Sequence, residues 1–375
     1  MKGRHYRTGK PVAVRAKDGR IAGLGAGGGR RLVGPGLVDL QVNGFRGLDF
    51  NTRPVPADLA GRVTRELWSE GVTAYLATVI TNAPDGIEEC VRAIDRGCES
   101  DADAQAGIAG IHLEGPFISP DDGPRGAHER AFVRPPDWDL FRRWQDASGG
   151  RIRLITLSPE WPEATAFIAK AVESGVIVSI GHTAGTPDQI RDAVKAGATM
   201  STHLGNGAHL MLPRHPNYVW EQMAQDALSA CVIADGFHLP DAVLKVILRA
   251  KGSRAMLVSD AVYIAGLAPG TYETHIGGKV VLTAEGKLHL AANPNLLAGS
   301  ATMVIRGVEH LAARGLASLP DAWDMASTRP AAAIGHPAAK GLRTGAPADV
   351  LVLEARGEHL SVAETWKAGR RVYKS

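Results

Sequence analysis

Eight short, apolar, β-branched runs recur along the middle of the chain, and helical patterns separate most of them. The runs are LVDLQVNG (37–44), VTAYLATVI (72–80), IAGIHLEG (108–115), IRLITLSPE (152–160), VIVSIGHT (176–183), ATMSTHLGN (198–206), LSACVIADGFH (228–238) and AMLVSDAV (255–262). The intervening patterns include PADLAGRVTRELWSEG, PEATAFIAKAVESG, TPDQIRDAVKAG and LPDAVLKVILRAKG, each closed by a glycine of the kind that ends helices. Strands alternating with helices build parallel sheets, and eight such units predict a (β/α)8 TIM-like barrel. An open doubly wound sheet is the competing architecture, but it does not usually need eight units.

A buried parallel strand is apolar almost throughout, yet six of these runs end in chemically capable groups. They are Gln41 and Asn43, Glu114, His182, His203, Asp235 with His238, and Asp260. In a barrel these ends share one rim, where the chemistry of such folds sits. Glu114, His182 and His203 make a plausible metal set, two imidazoles and a carboxylate with a fourth position left for water. A metal so held brings the pKa of water toward ~7. Read singly, a histidine is more often structural or at the surface; the joint placement at strand ends is what points to a metal. Asp260 ends an apolar run, where a carboxylate needs a partner. It reads either as a capping or salt-bridged residue or as a general base that returns its proton to the leaving group. His112 shares a face with Glu114 by period-two alternation and reads as a packed neighbour rather than a ligand. His128 follows the turn-rich PDDGPRGAH and falls on a loop over the rim, where it could polarise a carbonyl. His5, His289, His310, His336 and His359 lie outside the pattern and read as surface.

The two ends of the chain have another texture. PVAVRA and RIAGLG flank Asp18-Gly19, a hairpin signal. GAPADVLVLEA and ETWKAGRRVYKS also read as strands joined by turns. One small β-sandwich domain built from residues 1–34 and 338–375 is expected, with the barrel over 35–337. The Gly25–Gly29 cluster precedes no helix and reads as a turn rather than a phosphate loop. Charge is nearly balanced, +3 from 42 basic and 39 acidic residues, which argues against a nucleic-acid or membrane surface as partner. Three cysteines without a CxxC give no disulfide framework. The N-terminus lacks the apolar core of a signal peptide, and no run of 18 apolar residues occurs. A cytoplasmic protein is expected.

PGLVDLQVNG, IHLEGPF, RGAH, SIGHTAGT, STHLGN, IADGFH, LVSDA and LAGSATM together resemble the N-acetylglucosamine-6-phosphate deacetylases of the amidohydrolase superfamily, over nearly the whole chain. The closing GLRTGAPADVLVLE and TWKAGRRV resemble the C-terminal β segment of many amidohydrolases. The resemblance implies metal-dependent hydrolysis of the N-acetyl amide of an amino sugar phosphate. It implies one divalent ion on Glu114, His182 and His203, zinc foremost, with iron or another divalent ion suited to the same ligands. Many amidohydrolases carry His-x-His on the first barrel strand for a second metal; here Gln41-Val42-Asn43 stands there, so a single ion is expected. The family pattern gives Asp260 the acid/base role and His128 the polarising role. It brings Asn206, His238 and the main chain at Gly207 to the sugar, and Arg214 to a phosphate, which guanidinium suits. It also suggests a homodimer.

The chain departs from the family on the substrate side. Residues 207–222, with His209, His215, Tyr218 and Trp220, are unlike the usual segment, as is ISPDDGPRGAH. Those residues are expected to line the substrate mouth or an oligomer contact. Deacylation of an unphosphorylated or differently substituted N-acyl amino sugar, or of an N-acyl amino acid, is therefore the alternative. A non-catalytic scaffold is disfavoured because Glu114, His182, His203 and Asp260 are all present.

Overall fold

A computed structural model of the chain describes residues 1–274 and 278–375. Eight parallel strands form one continuous sheet: Leu37–Val42, Val72–Ile80, Ile108–Glu114, Ile152–Leu157, Ile177–Ile180, Met200–Ser201, Ser229–Val232 and Ala255–Leu257. Each neighbours the next in sequence order. The first and last are joined beyond their ends by a parallel bridge between Val42 and Ala261, and the Asn43 N–H donates to the Ala261 carbonyl at 2.9 Å. Lower in the seam, the Asp39 carboxylate accepts the Ser259 N–H at 3.1 Å and the Gln41 N–H at 3.2 Å. The expected barrel is therefore present, and Asp39 helps to close it.

Helices follow the strands as the amphipathic spacing requires: Leu59–Trp68, Ala164–Glu173, Pro187–Lys195 and Asp241–Lys251 fall inside the four quoted patterns. Thr186 caps Pro187–Lys195 in a reciprocal box with Gln189, and Ile190 and Ala193 turn inward from that helix. Inside the barrel, residues two apart along a strand or its first following residue share the core: Ala74 with Leu76, Cys231 with Ile233, Met256 with Val258. Ala331, Ile334 and Ala338 close this interior from below.

Above that apolar floor lies a buried polar layer. The Leu40 carbonyl can only accept, so His112 Nδ1 donates to it at 3.0 Å. His112 Nε2 then accepts the Thr156 hydroxyl at 2.7 Å. Thr156 accepts from Thr202, and Thr202 from Ser179, both at 2.6 Å. His112 is thus engaged on both nitrogens, as its packed reading expected.

The two ends of the chain make one mostly antiparallel sheet of seven strands, in the order Arg370–Lys374, His359–Lys367, Val350–Arg356, Leu32–Pro35, Lys2–His5, Pro11–Lys17, Arg20–Gly25. Asp18 and Gly19 take φ of +50° and +74°, as the tight hairpin turn demands. One element went unforeseen. Between the eighth barrel strand and helix Val304–Ala313 lies a four-stranded sheet of Gly270–Thr274, Gly278–Leu282, Leu288–Leu290 and Asn293–Leu297. Among the described residues no helix is long and apolar enough to cross a membrane. Cys90, Cys98 and Cys231 are buried and free. Of the histidines read as surface, only His359 is exposed, and it pairs with Glu309 at 3.1 Å; His5, His289, His310 and His336 are half-buried, with His310 bonded to Asp241 at 2.9 Å.

Candidate active site

The strand ends deliver the expected side chains to one cavity of about 940 Å³. Glu114 is the last residue of the third strand. Gly115 follows with φ +79°, where a Cβ would stand 2.1 Å from Thr81 Oγ1, and this lets the chain turn beneath the rim. His182 and His203 each lie two residues beyond the fifth and sixth strands, and Asp260 three beyond the eighth. All three have positive φ, +48°, +27° and +50°.

Three donor atoms converge. Glu114 Oε1 is 3.3 Å from His182 Nε2 and 3.2 Å from His203 Nε2, and the two nitrogens are 3.0 Å apart. A tetrahedral zinc with bonds of about 2.0–2.1 Å has ligand–ligand edges of about 3.3 Å, so this triangle matches one face of such a site. His182 Nδ1 donates to the Pro124 carbonyl at 2.8 Å, which leaves the Nε2 lone pair aimed at the triangle. Gly207 makes room for this ring: a Cβ there would stand 2.8 Å from His182 Nδ1. His128 enlarges the cluster, with Nε2 3.3 Å from His182 Nε2 and 3.9 Å from Glu114 Oε2. The donor atoms of Glu114, His128 and His182 all lie within 4.8 Å of one another, so His128 stands at the cluster rather than above an empty rim.

The electrostatics ask for a cation. Burial raises the Glu114 carboxyl, but the His182 and His203 rings outweigh it and hold the group well below the usual carboxylate range. On His203 burial acts downward, and Glu114 reverses it, so its pKa rises. His128 goes the other way, pushed down to about 3 by burial and then by His182, and is neutral. A divalent ion supplies the missing positive charge while leaving both imidazoles unprotonated, so these donors fit one.

Two amides at the end of the first strand, Gln41 within it and Asn43 just past it, hold the carboxylates, a role the sequence did not reveal. Gln41 Nε2 donates to Glu114 Oε1 at 2.7 Å, and Asn43 Nδ2 donates to Asp260 Oδ1 at 2.8 Å. Asp260 is pushed up to about 6 by burial and then by Glu114, against the pull of His203, His238 and Asn43. His238 Nδ1 meets Asp235 Oδ2 at 2.7 Å; Asp235 is held low because this pairing outweighs its burial. Asn206, Gly207 and His238 line the cavity with Asp260. Arg214 does not: it is exposed and outside the lining. In the unusual segment, His209 and Leu210 line the mouth, while the buried Tyr218 hydroxyl lies 2.8 Å from the His209 N–H and 3.0 Å from His209 Nδ1. His215 and Trp220 are exposed. The small sheet adds Thr274, Lys287, Asn295, Leu296 and Leu297 to the wall. Period-two alternation in KVVL and KLHL around Glu285-Gly286 was the available signal for it.

The amidohydrolase family model matches residues 32–372. An N-acetylglucosamine-6-phosphate deacetylase of Lysinibacillus sphaericus is 31% identical over 94% of this chain and 91% of its own. An N-acetylgalactosamine-6-phosphate deacetylase of Shewanella sp. (strain ANA-3) is 35% identical over 91% of this chain and 83% of its own. Among solved structures, a mutant of the Mycobacterium smegmatis N-acetyl-D-glucosamine-6-phosphate deacetylase, in complex with N-acetyl-D-glucosamine-6-phosphate, superposes with a TM-score of 0.85. It is 30% identical, with 96% of this chain and 94% of that chain covered.

Proposed function

The chain belongs to the amidohydrolase family, and from that membership we propose that it hydrolyses the acetamide of N-acetylglucosamine 6-phosphate. The products are glucosamine 6-phosphate and acetate. The observation that carries this reading is the Glu114–His182–His203 triangle with Asp260 lining the same cavity. In this reading Glu114, His182 and His203 hold one divalent ion, zinc foremost. When bound, the ion supplies a Lewis acid for the acyl oxygen and water of lowered pKa.

The chain's own residues do the rest. Asp260, oriented by Asn43, takes a proton from the attacking water at Oδ2 and passes it to the departing nitrogen. His128, neutral through burial, offers a ring N–H to the acyl oxygen. His238 is set by Asp235 so that its Nε2 faces a sugar hydroxyl, with Asn206 and the Gly207 main chain as further contacts. Arg214 lies outside its own chain's cavity, so its proposed phosphate role requires a second copy, and a homodimer is part of the proposal. The reading assigns catalysis to a barrel unit of residues 35–337 and a supporting role to residues 1–34 and 338–375, in a cytoplasmic enzyme.

The Shewanella relative favours a second reading, the C4 epimer N-acetylgalactosamine 6-phosphate. One experiment separates them: amine release from both 6-phosphates and from free N-acetylglucosamine by zinc-loaded protein. Preference for the gluco phosphate is expected. Preference for the galacto epimer moves the substrate, and no release from any of the three sinks the proposal.

A further inference from the structure

The cavity presents an electrostatic problem to any anionic substrate. Glu114 and Asp260 both line it. A metal on Glu114 offsets one carboxylate at the reacting end, but a phosphate dianion held in the same space still needs a cation of its own. Arg214 is outside this chain's lining and would reach the phosphate only from a second copy, so it leaves the chain's own wall without that charge. Among the described residues that form the wall, Lys287 is the one lysine or arginine.

Lys287 is well placed to serve. Its main chain is pinned at a turn of the four-stranded sheet: the Thr283 N–H donates to the Lys287 carbonyl at 2.9 Å, and the Lys287 N–H to Thr283 Oγ1 at 3.2 Å. The sheet is tied to the barrel beside Asp260, because Ser300, just past its last strand, bridges to Ala261 and accepts the Val262 N–H at 3.0 Å. The side chain is half-buried. Its Nζ donates to the neutral Pro294 carbonyl at 2.8 Å, and among the described residues no carboxylate forms an ion pair with it. An ammonium with one neutral partner keeps two N–H donors and a full charge to offer a phosphate.

Resting on the deacetylation reading above, we propose that Lys287 binds the phosphate of the substrate from within its own chain, beside the Arg214 that a second copy would bring, and so adds to the selection of phosphorylated over free amino sugar. The small sheet is then a specificity element of the site, and not only a cover. Lys287 takes no part in the bond cleavage, so its effect falls on substrate affinity.

The test compares wild type with Lys287→Gln, which removes the charge but keeps a polar, shorter side chain, and Lys287→Arg, which keeps the charge. Steady-state kinetics use the 6-phosphate and the free sugar on zinc-loaded protein. Calorimetry measures binding of glucosamine 6-phosphate and glucosamine. Lys287→Gln is expected to raise KM for the phosphorylated sugar at least tenfold with kcat within about twofold, and Lys287→Arg to recover most of the loss. Calorimetry is expected to show the same tenfold loss for glucosamine 6-phosphate and none for glucosamine. If Lys287→Gln binds and turns over the phosphorylated ligands as wild type does, Lys287 is not the phosphate ligand and the deacetylation reading stands. If wild type turns over neither sugar, that reading falls, and the calorimetric comparison alone decides for or against Lys287.

Discussion

His182, His203 and Asp260 all adopt backbone angles that side-chain-bearing residues avoid. Such angles cost roughly 1–3 kcal/mol each and persist where the surroundings over-determine them. Here the return is that three side chains from three strands face one point. Asp260→Asn preserves shape and the Asn43 contact region but removes the proton acceptor. It should lower kcat by at least about 10²-fold while metal content, read by atomic absorption, stays at wild-type level; an active variant would remove Asp260 from the mechanism. Asp260 must be ionised to accept a proton, and burial pushes it up to about 6 before any dication is bound beside it. A bound dication lowers that value, so activity of the metal-loaded enzyme should fall on an acid limb below about 6, and a pH–rate profile checks this. Gly207→Ala drives a methyl toward His182 Nδ1 and its bond to Pro124. Metal affinity should fall by about 10–100-fold, the usual cost of losing an outer hydrogen bond to a ligand, as read by competition with a chromophoric chelator.

At the scale of elements, the seam between the first and eighth strands is the informative one. Asp39 is fully buried and accepts two main-chain N–H groups, yet burial, the largest influence, pushes it up to about 7. A carboxyl whose folded pKa lies above its unfolded value contributes stability at low pH that is lost as pH rises from about 4 to about 7, at up to about 1.4 kcal/mol per unit. Asp39→Asn keeps an acceptor for Ser259 and does not ionise. Urea melts of both proteins at pH 5 and 8 should show wild type losing stability relative to the variant at the higher pH; parallel behaviour would mean Asp39 does not ionise across the seam. The barrel was legible because eight apolar, β-branched runs alternate with helical patterns. Glu114, His182, His203 and Asp260 stood out as polar interruptions of that pattern. Gln41 and Asn43 were visible too, but only as absent ligands, since their role depends on register across the sheet. The Pro124 carbonyl carries no side-chain signal at all. The four-stranded sheet escaped because its strands are short and partly exposed, so their alternation is weak.

For the molecule as a whole, the metal cluster is also part of the core. Glu114, His128, His182 and His203 are buried together, and without a cation their charges and lone pairs confront one another. Chelation should abolish turnover and lower the melting temperature by several degrees, both restored by zinc, because an ion bound only to the folded state stabilises it by mass action. Melting curves with and without chelator read this directly, and coincident curves would mean that no ion is bound there. The sheet shared by the two ends of the chain has a different consequence, one of timing. Leu32–Pro35 pairs with Val350–Arg356, about three hundred residues later. At a ribosome's pace of about 5–20 residues per second, that strand waits on the order of 15–60 s for its neighbour. During that interval an early, β-prone edge stands open in a crowded cell while the barrel grows behind it. The arrival of Val350–Arg356 is therefore also what ends that early edge's exposure to mispairing.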